Sequence, residues 1–198
     1  MTKAIIFDCF GVFYPDPVFA FMRDPQTSPE KAKALHNLDK RAAYGELSKP
    51  EFIEQAAGLL GNTHDEIEKQ FFHGNKRNQS LINFAQHVRK DYKIALLSNI
   101  GGDMMDGFFS KEELINLFDV VILSGNIKMA KPDRDIFEYA LNKLGVMPDE
   151  TIFIDDSANH TEGAKKVGIN SVLFSSSGQL KTDLTELGLS EAATKILK

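Results

Sequence analysis

Five short apolar runs, at residues 4–7, 94–97, 120–123, 151–154 and 171–174, limit most strongly what this chain can fold into. None alternates apolar with polar residues as a half-exposed strand does, so each reads as a strand buried on both faces. Helix signals fill the intervals between the later runs. Ser110 and Glu113 have capping-box spacing, and Pro132 suits a first helical position. Gly145 suits the stop of a helix over 133–144, and Gly168 closes one over 159–167. Strand alternating with helix predicts an α/β fold with a Rossmann-like open parallel sheet.

The interval between the first two runs is different. From about residue 14 to 78 there are only helix signals: Ser28-Pro29, Ser48 with Glu51, and Thr63 with Glu66. Phe52, Ile53, Ala56, Leu59 and Leu60 form an apolar stripe at helical spacing. A further helix over about 80–90 leads into the second strand. This is more helix than one crossover needs. Residues 15–78 therefore read as a small all-helical cap inserted after the first strand, with 1–14 and 79–198 forming the core domain. Ser175-Ser176-Ser177-Gly178 reads as a flexible turn before a short C-terminal helix.

Hydrophobic residues make up 42% of the 198-residue chain and charged residues 26%, the balance of a globular protein. The net charge of -5, with no basic run, argues against a nucleic-acid partner. The only cysteine is Cys9, which excludes an intramolecular disulfide and points to a reducing compartment. The first apolar run is too short for a signal-peptide core or a membrane span, so a cytoplasmic location is expected. Nothing in the sequence fixes an oligomeric state.

In an open parallel sheet, ligands bind beyond the carboxyl ends of the strands. There stand Asp8, then Ser98 and Asn99, then Lys131, then Asp155 and Asp156. Singly, each has a plain structural reading: a cap, a turn, a solvated lysine. Together, three carboxylates at one rim repel unless a proton or cation holds them. Oxygen ligands without a His or Cys cluster suit magnesium. Aspartate is also an established nucleophile in phosphoryl transfer, where a lysine and a hydroxyl stabilise the transferring charge.

These residues sit in Ile-Ile-Phe-Asp8-Cys-Phe-Gly-Val, Leu-Leu-Ser98-Asn99, Lys131-Pro-Asp and Ile-Phe-Ile-Asp155-Asp156, the last followed by Gly163-Ala164 and Gly168. The set resembles the haloacid dehalogenase superfamily of hydrolases over nearly the whole chain. The resemblance implies that Asp8 is the nucleophile, Ser98 binds the phosphoryl group with Asn99 beside it, and Lys131 steadies the charge. It also implies a magnesium ion on Asp8, Asp156, the neighbouring Asp155 and the main-chain carbonyl of Phe10. The expected function is hydrolysis of a small phosphorylated metabolite through an aspartyl-phosphate. The sequence after Asp155 looks most like the branch of sugar-1-phosphate phosphatases and epoxide-hydrolase phosphatase domains.

One position departs from the pattern. Most phosphatases of the superfamily carry an aspartate general acid/base two residues after the nucleophile, and here that residue is Phe10. Losing such a group typically costs about 10²–10⁴-fold, least for leaving groups that depart without a proton. Tyr14, Asp16, His36 and His64 are all conceivable replacements. An aromatic residue at this position also resembles the haloacid dehalogenases proper, which need no metal, although the Asp155-Asp156 pair fits them poorly. A binding module with little turnover is the third reading.

Among weaker features, Cys9 is expected to point away from the site, and no histidine pair has zinc-ligand spacing. Met104-Met105 and Phe108-Phe109 read as core packing, Gly101-Gly102 as a sharp turn at the rim. Arg23, Arg41 and Tyr44 lie in the insert and are, by location alone, candidates to help select substrate.

Overall fold

All five apolar runs form strands of one wholly parallel sheet in the computed structural model, which describes residues 1–25, 27–73 and 76–197. The strands are β1 (Ala4–Phe7), β2 (Lys93–Ser98), β3 (Val120–Leu123), β4 (Thr151–Asp155) and β5 (Asn170–Leu173). Their order is β3-β2-β1-β4-β5. β2 continues through Ser98, and β5 ends one residue earlier than its apolar run.

Eleven helices surround the sheet among the described residues: α1 (Pro17–Met22), α2 (Pro29–Ala43), α3 (Lys49–Leu60), α4 (His64–Phe72), α5 (Gln79–Val88), α6 (Lys111–Leu117), α7 (Ser124–Ile127), α8 (Arg134–Leu144), α9 (Ala158–Lys166), α10 (Ser177–Glu186) and α11 (Glu191–Thr194). The expected caps are in place. Glu51 accepts from the Ser48 amide at 2.8 Å, Glu66 from Thr63 at 2.8 Å and Glu113 from Ser110 at 3.0 Å. Two details differ from expectation. Pro132 is not a first helical residue, because Asp133 is the N-cap of α8. Ser177-Gly178 is not a turn: the Ser176 side chain accepts from the Gln179 amide at 3.2 Å and starts α10 there.

Strand alternation divides the apolar interior in two. Ala4, Ile6, Ala95, Leu97 and Phe153 pack on α8 and α9 behind the sheet. Ile5, Phe7, Leu96, Ile152 and Ile154 face forward, with Cys9 among them as expected. The forward core runs without a break into the insert, where Leu35, Phe52, Ile67 and Phe71 belong to the same cluster. Helices α1 to α4 pack on one another. They are tied to the core where Ser124 Oγ donates to the Ala43 carbonyl at 2.5 Å and the Asn78 amide donates to Phe13 at 2.7 Å. A Cβ on Gly45 would lie 2.2 Å from the Gly125 carbonyl, so here backbone rests directly on backbone.

α9 presses on the loop that carries Lys131. A Cβ on Gly163 would lie 2.6 Å from the Pro132 carbonyl oxygen and 2.9 Å from its Cβ. Gly163→Ala is expected to cost about 1–3 kcal/mol by overpacking, read as a lower urea midpoint at unchanged slope. An unchanged midpoint would show that the loop yields freely.

Candidate active site

The chain runs from β1 outward to β2 and β3 and then crosses back to β4, so the topological switch point lies between β1 and β4. Such crevices are the usual ligand sites of open α/β sheets. Pairing of Phe7 with Ile154 brings Asp8 level with Asp155 there. The Asp8 amide donates to the Ile154 carbonyl at 2.9 Å, and Asp8 Oδ1 accepts from the Cys9 amide at 2.7 Å.

Lys131 fills the space between the two carboxylates. Its Nζ lies 2.7 Å from Asp8 Oδ1 and 2.7 Å from Asp155 Oδ2, with the lysine and Asp155 side chains wholly buried. Asn99 holds the lysine in place through its main chain: Asn99 Nδ2 donates to the Lys131 carbonyl and the Lys131 amide donates to Asn99 Oδ1, both at 2.9 Å. Asp155 also accepts from the Ser157 amide at 2.8 Å and lies 3.1 Å from His160 Nδ1. Each buried charge thus has partners of opposite sign or hydrogen bonds, as burial requires.

Electrostatics follow from this arrangement. Burial pulls the Lys131 ammonium down, but Asp155 and Asp8 outweigh it and the net shift is upward. Burial would raise Asp155, yet Lys131 and His160 hold it below its ordinary value. Asp8 is raised well above the usual carboxylate range by burial and then by the Asp155 charge, which Lys131 only partly offsets. Asp156 is also raised, by burial first and then by Asp155 and Asp16.

Asp156 faces the open rim, its carboxylate against the backbone of Gly11. A Cβ on Gly11 would lie 2.1 Å from it, and Gly11 has φ +78°, so position 11 suits glycine on both counts. Ser98 Oγ is buried and has no hydrogen-bond partner among the described residues, a donor waiting for an acceptor. A cavity of about 1110 Å³ opens above these groups, bordered by Asp8, Phe10, Asp156 and His160 below and by residues of α1, α2 and α4 above. Three carboxylates against one buried ammonium, all oxygen donors, fit a hard divalent cation. The unpartnered Ser98 hydroxyl, at the end of β2, is a donor that an oxyanion could accept from.

Asp8, Lys131, Asp155 and Asp156 come together as the sequence implies, but two residues are employed differently. Asn99, expected on the substrate, has its amide occupied by Lys131. Asp155, expected beside Asp156 on the metal, turns inward to Lys131, His160 and Ser157. Asp8, Asp155 and His160 do form a group of ligand atoms within 4.8 Å, yet the Lys131 ammonium already bonds two of its members. Asp156, which faces the cavity, is the better placed ligand. Of the conceivable proton donors, Tyr14 is buried and donates to the Phe108 carbonyl, and His64 lies outside the cavity. Asp16 and His36 border it, as do Arg23 and Tyr44, whereas Arg41 bonds Glu46 and Gln55 instead. Sequence reasoning missed His160 and Asp39. The signal for His160 was its place in the first turn of α9, three residues after the N-cap Ser157.

Fold and site together define a hydrolase of the α/β class with a carboxylate at the switch point. The chain belongs to the haloacid dehalogenase-like hydrolase family, which residues 17–174 match. That stretch holds Ser98, Asn99, Lys131, Asp155 and Asp156 and begins after Asp8. D-ribitol-5-phosphate phosphatase of Bacteroides thetaiotaomicron is 28% identical over 93% of this chain and 98% of its own length. Drimenol cyclase of Aspergillus calidoustus is 23% identical over 94% of this chain, which spans only 37% of that protein. The crystal structure of a family enzyme from B. thetaiotaomicron, in complex with magnesium and inorganic phosphate, shares the fold with a TM-score of 0.71. It is 22% identical over 87% of this chain and 93% of its own.

Asp39, on the cavity side of α2, is pushed up to about 7 by burial and by the neighbouring Asp16 charge. Against an unfolded value of about 3.9, the folded chain holds more protons between these limits. The contribution of Asp39 to stability therefore falls as pH rises from about 4 to about 7. Asp39→Asn is expected to melt higher than wild type at pH 8 and equally at pH 4. A difference that persists at pH 4 would rule out titration as its source.

Proposed function

We propose that this protein is a magnesium-dependent phosphate monoester hydrolase acting on a small phosphorylated metabolite through an aspartyl-phosphate on Asp8. The observation that carries this reading is the buried Asp8 carboxylate at the switch point, ion-paired to Lys131 at 2.7 Å. Magnesium would be held by Asp8, Asp156 and the main-chain carbonyl of Phe10, and would supply the positive charge that favours ionised Asp8 and neutralises the phosphoryl oxygens.

Asp8 attacks phosphorus from the floor of the cavity, and the ester oxygen leaves toward the insert. Lys131 and Ser98 stabilise charge on the transferring group. Asp155 and Asn99 act one layer back by fixing Lys131. Residues 15–78 serve as a cap that excludes water and selects the leaving group. Relatives with phosphatase names support the reading, including one matched along nearly its whole length. Phe10 favours a second reading, a dehalogenase that needs no acid. That reading gives no task to the Asp156 carboxylate at the rim, so the phosphatase leads.

Phosphate release from an aryl phosphate is expected to require magnesium, to stop with chelator, and to fall on the order of 10⁴-fold in Asp8→Asn, as for other covalent nucleophiles. Halide release from a haloacid in chelator, with no phosphate release in magnesium, would replace this reading by the dehalogenase.

A further inference from the structure

We infer that the substrate's leaving group is aromatic or otherwise apolar and departs as a stabilised oxyanion, Phe10 supplying no proton to it. This rests on the phosphatase reading and extends it to the part of the substrate beyond phosphorus.

Phe10, Phe19, Met22, Phe72, Met104 and Phe108 border the cavity with apolar side chains, drawn from the segment after β1, from α1, from α4 and from residues 104–108. The Phe10 ring stands edge-on to Phe108 at 4.7 Å between centroids, and Phe108 in turn meets Phe72 at 6.3 Å. Phe19, at 41%, is the one exposed aromatic among the described residues, and it borders this cavity with Arg23 stacked 4.3 Å above its ring. Polar lining comes from Asp8, Lys131 and Asp156 at the sheet rim and from Asp16, His36 and Asp39 on the insert. Apolar surface bordering a wet cavity is stabilised when an apolar ligand covers it.

The proton inventory of the same wall agrees. Phe10 has no proton to give. Tyr14 already donates to the Phe108 carbonyl, and Asp16, His36 and Asp39, lining groups that could hold a proton, sit on the insert. In the first step, an Asp8 oxygen bonds to phosphorus as the ester P–O bond breaks, and that electron pair leaves on the departing oxygen. In the second, water attacks phosphorus, the P–O bond to Asp8 breaks, and the water proton passes to solvent or to the released oxyanion. An acidic leaving group makes the first step feasible with no general acid; an alkoxide does not.

The test is kcat/KM, in magnesium, for aryl phosphates of graded phenol acidity, for acetyl phosphate, and for glycerol and hexose phosphates. A steep rise with leaving-group acidity is expected, with alkyl phosphates at least about 10²-fold slower, the low end of a missing general acid. Phe10→Asp should raise alkyl turnover and flatten the aryl series. Phe19→Ser should narrow the KM advantage of naphthyl over acetyl phosphate. A flat wild-type series, with hexose phosphates as good as aryl ones, would overturn the inference and leave the phosphatase reading standing. No release from any ester would remove the phosphatase reading and this inference with it.

Discussion

Lys131 is buried between Asp8 and Asp155, where an ammonium without partners would cost several kcal/mol after relaxation. Much of the architecture serves to keep that arrangement intact. Parallel pairing of β1 with β4 sets the two carboxylates side by side. The reciprocal Asn99 contacts fix the lysine main chain, and Gly163 lets α9 close against the adjoining loop. His160 and the Ser157 amide satisfy what remains of Asp155. The lysine therefore reaches Asp8 with little freedom.

Carboxylates outnumber cations at this rim, and the surplus falls on Asp8 and Asp156, both raised above their ordinary range. Asp155 is the exception because it has the His160 imidazole in addition to the ammonium that it shares with Asp8. Adjacent aspartates thus differ in character: one braces the interior, the other faces the cavity. Backbone geometry makes the distinction, since Asp155 closes β4 and Asp156 follows it onto the loop.

Most of the fold was legible because the strands are continuous apolar runs and the caps are local. Ser48 with Glu51 or Thr63 with Glu66 needs only three residues of context. α1 was missed because Pro15-Asp16-Pro17 reads as a turn, and six residues carry little periodicity. α7 was missed because Ser-Gly-Asn is loop composition. The rim residues were legible as a set, since strand ends converge in any parallel sheet. Their separate employment was not, because the partners of Asn99 and Asp155 lie 32 and 24 residues away. His160 was invisible as a single scattered histidine until α9 turned it toward β4.

The forward core has no seam between the sheet and the helical insert: Phe7 and Phe13 belong to the same cluster as Leu35, Phe52 and Phe71. A stretch that looks like an interruption in the sequence is therefore not one in the packing. An ancestor without these helices would have had to clothe the front of its sheet with other side chains, so insert and sheet must have changed together. Drift at a position such as Phe52, which belongs to the core and borders the cavity, would alter cavity shape and folding at once.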